Sequence, residues 1–498
     1  MSYDHKAIEA KWQEIWEGER VFYVKEDPSK PKFYNLCMYP YPSGALHQGH
    51  VRNYTFGDLL TRYKKMQGFH VLSPMGWDSF GLPAENAAID RGIHPRPNTE
   101  AQIETMTQQI KQLGAMYDWD RELAAHDPFY YRWDQWLFLE MYQRGLAYKA
   151  EAPVNWCPKD QTVLANEQVI DGLCERCDTP VEKRMLSQWF FKITDYADRL
   201  LDDLEKLEHW PERVRVMQHN WIGRSEGAIF TIEVDGGGSF DVFTTRPDTV
   251  FGMTFCVLAP EHPLVESLIS GSEDEAEARA YIEAAVKASE IERMAEGEKS
   301  GVFTGAYAVN PVNGKRVPIY IADYVLMGYG TGAIMAVPGE DQRDWDFATR
   351  YGLEIIRTVQ PPDGWEGEAY TGDGPSINSD FLDGLYQEEA KQRIIAWFEE
   401  KGIGRATVTY RLRDWLISRQ RYWGSPIPMV ECDDCGLVPV PRDQLPVLLP
   451  DLEDFTPKGK APLATVEEFV NTTCPECGGP ARRETDTLDT FVDSSWYF

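Results

Sequence analysis

An α/β fold carrying a parallel sheet is predicted by two local patterns. A strand–loop–helix–strand succession runs from residue 32 to 78, and short strands and helices alternate from 226 to about 410. The first succession is a βαβ unit, which places parallel strands side by side and a ligand crevice at their carboxyl ends.

The elements follow in order. "MSYDHKAIEAKWQEIWEGERVF" at the start reads as a charged amphipathic helix with Ile8, Trp12, Ile15 and Trp16 on one stripe. "KFYNLCMYP" (32–40) has strand character. After the loop "YPSGALHQGH", Val51, Tyr54, Leu59, Tyr63 and Met66 recur at helical spacing until Gly68. "FHVLSPMGWD" is the second strand. Long amphipathic helices follow through Gly145, including "NTEAQIETMTQQIKQLGAMY" and "YYRWDQWLFLEMYQRGL". A cysteine-bearing insert occupies about 150–185. "EGAIFTIEVDGGGSFDVFTTR" (226–246) alternates around a glycine-rich turn and predicts a hairpin. It opens a candidate inserted domain, whose segment "QPPDGWEGEAYTGDGPS" reads as a polar loop. "SEDEAEARAYIEAAVKASEIERMAEGE" is strongly acidic and reads as a solvated helix face.

At 498 residues and 57.0 kDa, with 43% hydrophobic residues, the chain has material for several cored domains and is not broadly disordered. It holds no apolar run of membrane-spanning length, and its first helix lacks the apolar core and cleavage site of a signal peptide. No membrane role and a cytoplasmic location are expected. The net charge of −30 weighs against nucleic acid as a partner. A local basic groove can coexist with an acidic exterior, so the motifs decide.

Of the nine cysteines, six form CxxC pairs, which in a reducing compartment suggests metal sites rather than disulfides. Cys432, Cys435, Cys474 and Cys477 make a four-thiolate set, each knuckle trailed by a glycine (Gly436, Gly478), as structural zinc requires. Cys174 and Cys177 form a second knuckle whose partner is Cys157 followed by Asp160, giving three thiolates and a carboxylate. Cys37 and Cys256 lie in apolar runs and read as buried small hydrophobes.

His47 and His50 sit where the apolar run gives way to a helix. Metal ligation, ordinary packing and phosphate binding are the available readings. A helix start offers unpaired N–H groups and partial positive charge, and imidazole donors beside it can grip phosphate oxygens. Gly49 would let a flat base approach the backbone.

"PYPSGALHQGH" resembles the HIGH signature of class I aminoacyl-tRNA synthetases, and its surroundings resemble the N-terminal portion of bacterial leucyl-tRNA synthetases over essentially the whole chain. Supporting stretches are "GWDSFGLPAENAA", "VNWCP", "QTVLANEQV", "NWIGRSEG", "TTRPDT", "YGTGAIMAVPG" and "YRLRDWLISRQRYWGSPIPM". Isoleucyl and valyl enzymes share some of these; Phe80 and the zinc-type insert point to leucine. The resemblance implies an incomplete Rossmann-like nucleotide-binding fold with an inserted α/β editing domain and zinc-binding inserts. Its first half occupies 1–149, followed by zinc-type insert 1 over 150–185 and connecting helices over 186–225. The editing domain occupies 226–412, the return to the catalytic domain 413–430, the zinc ribbon 431–482 and the start of the second half 483–498.

The resemblance further implies that ATP, with Mg2+, and leucine form leucyl-adenylate, which passes to tRNA(Leu). His47 and His50 would steady the phosphates and Gly49 admit adenine. Asp78 would hold the leucine ammonium, and Tyr39 and Tyr41 wall the amino-acid pocket. Gln48 stands where relatives carry Met or Ile, with little effect expected. A hydrophobic pocket discriminates a missing methylene by only about 1–3 kcal/mol, a limit known from synthetases, so a hydrolytic editing site is implied as well. There Asp344 would bind the α-amino group of a mischarged residue, and Thr249 would exclude leucine. Thr244, Thr245 and Arg246 would line the site, with Asp341 and Arg343 supporting the loop. Glu340 departs from the family's histidine. KMSKS occurs nowhere in the sequence, so this chain is expected to need a missing C-terminal half, in the same or a separate polypeptide, for synthesis. Two other readings stay open: a stand-alone hydrolase of mischarged tRNA, and an inactive scaffold carrying a zinc-ribbon binding module.

Overall fold

The computed structural model describes residues 3–170, 172–287, 293, 299–327, 330–457 and 460–495. Outside them lie Tyr329 of "YGTGAIMAVPG", positions 288–292 and 294–298 of the acidic segment, and the last three residues of "DTFVDSSWYF". The chain forms two compact units, Met1–Lys192 with Asp414–Phe498, and Ile193–Arg413. Among the described residues no helix is long and apolar enough to cross a membrane.

In the first unit, α1 (His5–Gly18) precedes β1 (Lys32–Tyr34), α2 (Gln48–Met66) and β2 (His70–Leu72). β1 and β2 pair in parallel, Phe33 opposite Val71, as the βαβ reading requires. β3 (Pro74–Trp77), α3 (Leu82–Arg91), α4 (Pro95–Gln112), β4 (Asp118–Ala124) and α5 (Pro128–Gln143) follow, with β3 and β4 again parallel. β4, "DWDRELA", interrupts what the sequence suggested was a run of helices. Its polar residues mask a strand signal.

The helix read from this spacing is α2, and burial shows which of its faces turns inward. Tyr54, Gly57 and Thr61 face inward, whereas Leu59, Tyr63 and Met66 are 64%, 55% and 87% exposed. The small face wins because the helix lies tight against the sheet: a Cβ on Gly57 would fall 2.1 Å from Cys37 Sγ. Ile8 and Trp12 of α1 are likewise exposed, while Trp16 packs on Phe22. Tyr54, Met75, Trp77, Met106, Ile110 and Tyr117 form the core under the helix mouth.

β5 (Ala147–Cys157) pairs antiparallel with β6 (Thr162–Leu164) and β9 (Glu182–Phe191), with the short hairpin β7 (Val169–Ile170) and β8 (Leu173–Cys174) between. Near the end of the chain, strands Met429–Cys432, Gly436–Pro439, Asn471–Thr473 and Pro480–Arg483 make a four-stranded antiparallel sheet.

The second unit is a seven-stranded sheet with helices. Its predicted hairpin is present: β10 (Arg224–Val234) pairs antiparallel with β11 (Ser239–Thr244) around Gly236–Gly238, all at positive φ. β12 (Phe255–Leu258), β13 (Gly301–Val309), β14 (Arg316–Ala322) and β15 (Ala333–Ala336) extend it in the order β11-β10-β13-β14-β12-β15, and β16 (Gly404–Tyr410) joins β10. Helix Gln387–Lys401 buries Ile394 and Phe398 against Phe230 and Ile232. The acidic helix, Glu275–Lys287 in its described part, buries Ala278 and Ala285 and turns its charges outward.

Candidate active, editing and metal sites

His47 is the N-cap of α2. Its Nδ1 accepts the Gly49 N–H at 3.1 Å, while the His47 N–H donates to His50 Nδ1 at 3.3 Å, a reciprocal capping box made of two imidazoles. The rings stack 3.8 Å apart. Gly49 matters here, although differently from the expectation: a Cβ at that position would lie 2.9 Å from the His47 ring, so in this structure the space above it holds imidazole. His47 and Gly49 are exposed, His50 half-buried, and desolvation together with His47 holds the His50 pKa below its ordinary value.

The turn from the carboxyl end of β3 carries Asp78, whose N–H donates to Pro40 O at 3.1 Å and so ties it to the Tyr39–Tyr41 loop. Tyr39 is buried because Gly76 has no side chain; a Cβ there would sit 2.1 Å from the tyrosine ring. Asp78 is 5% exposed, and its Oδ1 is buried with no hydrogen-bond partner among the described residues. Burial, then the field of Asp489, raises its pKa to about 7, against the opposing effects of Ser494 and Arg176. The structure thus brings Tyr39, Tyr41 and Asp78 together. It adds two features the sequence reading missed. Asp489 caps the short helix Thr490–Ser494 and receives Arg419 at 2.5 Å, both groups buried. Arg176, inside the first cysteine knuckle, stands 5.7 Å from the Tyr41 ring centroid. A cation between two predicted metal ligands was the available signal.

In the second unit, "TTRPDT" forms a tight loop after β11. Thr244 Oγ1 accepts the Arg246 N–H, and Thr249 Oγ1 donates to Arg246 O at 2.8 Å. The Arg246 guanidinium holds the buried Asp248 carboxylate through both oxygens. Thr249 is fully buried, Thr245 exposed. A Cβ on Gly227 would lie 2.0 Å from Thr244 O, so the loop's approach needs glycine. On the facing segment Asp341 caps helix Gln342–Tyr351, accepting the Arg343 and Asp344 N–H groups, and pairs with the Arg343 side chain. Asp344 is 4% exposed; its Oδ2 accepts the Val337 N–H at 2.8 Å, and burial followed by Asp341 raises its pKa to about 8. Glu340, just before this cap, is buried. Its Oε1 accepts the Thr358 and Val359 N–H groups at 2.6 and 3.2 Å, and its Oε2 lies 3.5 Å from where a Cβ on Gly252 would be.

Both cysteine sets assemble. Within Cys432, Cys435, Cys474 and Cys477, and within Cys157, Asp160, Cys174 and Cys177, the ligand atoms lie within 4.8 Å of one another. Cys432 Sγ is 3.6 Å from Cys477 Sγ, and Cys157 Sγ 3.5 Å from Cys177 Sγ. Thiolates tetrahedral about zinc stand about 3.8 Å apart, so both donor sets fit the ion. The knuckles share one turn. Gly478 N–H donates to Cys474 O with φ +73°, and Asp178 N–H donates to Cys174 O with φ +53°. In the Cys157, Cys174, Cys177 set Asn86 donates to Asp160 Oδ1, leaving Oδ2 among the sulfurs. Arg421 binds Asp160 O, Asn86 and the buried Glu85.

A family model described as tRNA synthetases class I (I, L, M and V) matches residues 11–230 and 385–498, and one described as leucyl-tRNA synthetase, editing domain, matches 219–399. The fold is therefore that of a class I synthetase catalytic domain with an editing domain. The leucine–tRNA ligase of Rubrobacter xylanophilus is 58% identical, covering 99% of this chain and 61% of that one. "Leucine–tRNA ligase subunit alpha" of Aquifex aeolicus is 56% identical, covering 100% and 83%. A crystal structure titled as the ternary complex of Agrobacterium radiobacter K84 agnB2 LeuRS with tRNA and LeuAMS superposes with a TM-score of 0.86 at 46% identity, covering 100% and 59%. The chain belongs to the leucyl-tRNA synthetase family. It spans about three-fifths of the length of the leucine–tRNA ligases it matches, 61% for those of R. xylanophilus and Thermotoga maritima.

Proposed function

We propose that this chain supplies the amino-acid-activating and editing sites of a leucine–tRNA ligase. The observation that carries the reading is the buried Asp78 Oδ1, without a hydrogen-bond partner among the described residues, beside Tyr39 and Tyr41, in the same unit as a helix mouth dressed with two imidazoles. A desolvated carboxylate of this kind suits an ammonium ion. The Nδ1 atoms of His47 and His50 are committed to the capping turn, so their Nε2 edges would meet the ATP phosphates, with Mg2+ accompanying the nucleotide. In-line attack of the leucine carboxylate on the α-phosphorus gives leucyl-adenylate and pyrophosphate, and tRNA(Leu) then accepts the leucyl group. The rest of the catalytic domain, in the same chain or a partner subunit, completes the nucleotide site. A cytoplasmic location goes with this role.

Editing is assigned to the second unit. The Asp344 carboxylate would receive the α-amino group of a mischarged residue, Thr249 would exclude leucine, and Thr244, Thr245 and Arg246 would flank the scissile ester, with Asp341 and Arg343 bracing the facing helix. Zinc bound by Cys432, Cys435, Cys474 and Cys477 would fix the terminal ribbon, and zinc bound by Cys157, Asp160, Cys174 and Cys177 the first insert. The ion supplies cross-linking in both places, and the chain's own groups do the chemistry.

Leucine-dependent ATP–pyrophosphate exchange, with the remaining part of the family's catalytic domain added, tests the first activity; none above background contradicts it. Hydrolysis of norvalyl- or isoleucyl-tRNA, lost in Thr245→Arg, tests the second. Hydrolysis without exchange leaves the stand-alone editing reading, and binding without either turnover leaves the scaffold.

A further inference from the structure

Arg176 is a basic side chain held at the amino-acid pocket by a metal knuckle, and its present contacts do not use its charge fully. Its Nε is buried with no hydrogen-bond partner among the described residues, and it makes an ion pair with its own neighbour Glu175, at 3.7 Å. Its guanidinium covers Tyr41, approaches the Tyr41 hydroxyl and acts electrostatically on Asp78. The knuckle that carries it is anchored on both sides: Glu175 N–H donates to Gln168 O, and Cys174 N–H to Thr179 O, each at 3.0 Å. Gln168 in turn receives Arg419, the partner of Asp489.

Beside Tyr41 the structure therefore presents a buried carboxylate oxygen with no hydrogen bond among the described residues, and a buried guanidinium N–H held only by the long 3.7 Å ion pair to Glu175. Buried polar groups left this way signal a ligand that completes them. A carboxylate–guanidinium couple complements a zwitterion, whose ammonium and carboxylate are separated by one carbon.

We infer that Arg176 binds the α-carboxylate of the amino acid whose ammonium is held by Asp78, and that the Cys157, Asp160, Cys174, Cys177 metal site positions this arginine for that contact. The inference rests on the reading of Asp78 given above. It makes the first insert part of substrate recognition: the sulfurs on either side of Arg176 fix its backbone, and its side chain selects ligands carrying an anion beside the ammonium. The competing role is that of a counter-ion, in which Arg176 merely offsets the buried charge of Asp78.

Calorimetric titration of the purified chain with leucine and with leucinol separates these roles, because leucinol keeps the ammonium and side chain but lacks the carboxylate. Arg176→Gln should weaken leucine about ten- to a hundredfold, the range for a hydrogen bond to a charged group, and leave leucinol unchanged. Native mass spectrometry should find the zinc retained. Cys174→Ser should lose one zinc and, with it, the preference for leucine over leucinol. Should Arg176→Gln itself lose metal, Arg176→Lys, which keeps the charge but not the planar fork, carries the comparison, and leucine alone should weaken. Equal weakening of both ligands with metal in place, or tighter leucinol without weaker leucine, overturns the assignment. If the wild-type chain binds neither ligand, the amino-acid site itself is refuted and this inference falls with it.

Discussion

Replacing Asp78 by Asn should make the free protein more stable and a poorer binder. The carboxylate is 5% exposed, and burial raises its pKa from 3.8 to about 7. At about 1.4 kcal/mol per pH unit, keeping it ionised above pH 7 costs the fold about 4 kcal/mol. Asn keeps the acceptor that Ser494 meets and removes the charge, so a gain of about 2–4 kcal/mol is expected at pH 8. The sign follows from the raised pKa. Between about pH 4 and 7 the folded protein holds a proton that the unfolded chain releases, so Asp78's contribution to stability is largest in acid and falls as pH rises. The advantage of Asp78→Asn should shrink at pH 5 accordingly. Leucine needs the ionised form: the variant should lose about 1.5–3 kcal/mol of binding, roughly ten- to 150-fold, and wild-type affinity should decline as pH drops below about 7. Urea denaturation at pH 5 and 8, with leucine titrations in parallel, measures both. A variant less stable than wild type at pH 8, or one that binds leucine equally well, is incompatible with a buried, ionised Asp78 holding the ammonium.

Three other expectations are independent of that one. Native mass spectrometry should count two zinc ions, and Cys474→Ser should remove one while hydrolysis of mischarged tRNA persists. Asp344→Ala should abolish that hydrolysis. Because the Asp344 pKa stands near 8 and the amino group needs a carboxylate, wild-type hydrolysis should climb with pH toward 8; a flat profile between pH 6 and 8 speaks against the contact. Arg421→Ala leaves Glu85, fully buried, without its 2.5 Å partner, and should cost about 3–5 kcal/mol in chemical denaturation.

Much of this was legible in the sequence where local chemistry is specific. The βαβ unit followed from an apolar strand, a capped helix start and a second strand, and both cysteine sets from their spacing. Packing decided what periodicity could not. Helical spacing placed Leu59, Tyr63 and Met66 on one stripe of α2 but could not tell that Gly57, by admitting Cys37, would turn the opposite face inward. Asp489, Arg419 and Arg176 escaped notice because their roles arise from pairings between distant segments. The imidazole capping box was hidden too, since His47 and His50 resemble ligand donors whether or not they also close the turn. Glu340 was noted as a departure; only the fold reveals that its carboxylate accepts the Thr358 and Val359 N–H groups.

On the proposed function, a nucleotide-activated leucine lies between the start of α2 and Asp78. Equilibrium binding of a sulfamoyl analogue of leucyl-adenylate to this chain, compared with His50→Ala and Asp78→Asn, tests it most directly. Saturable binding is expected, weakened at least about tenfold by each substitution and further in the double variant. Unchanged affinity in both single variants would contradict it.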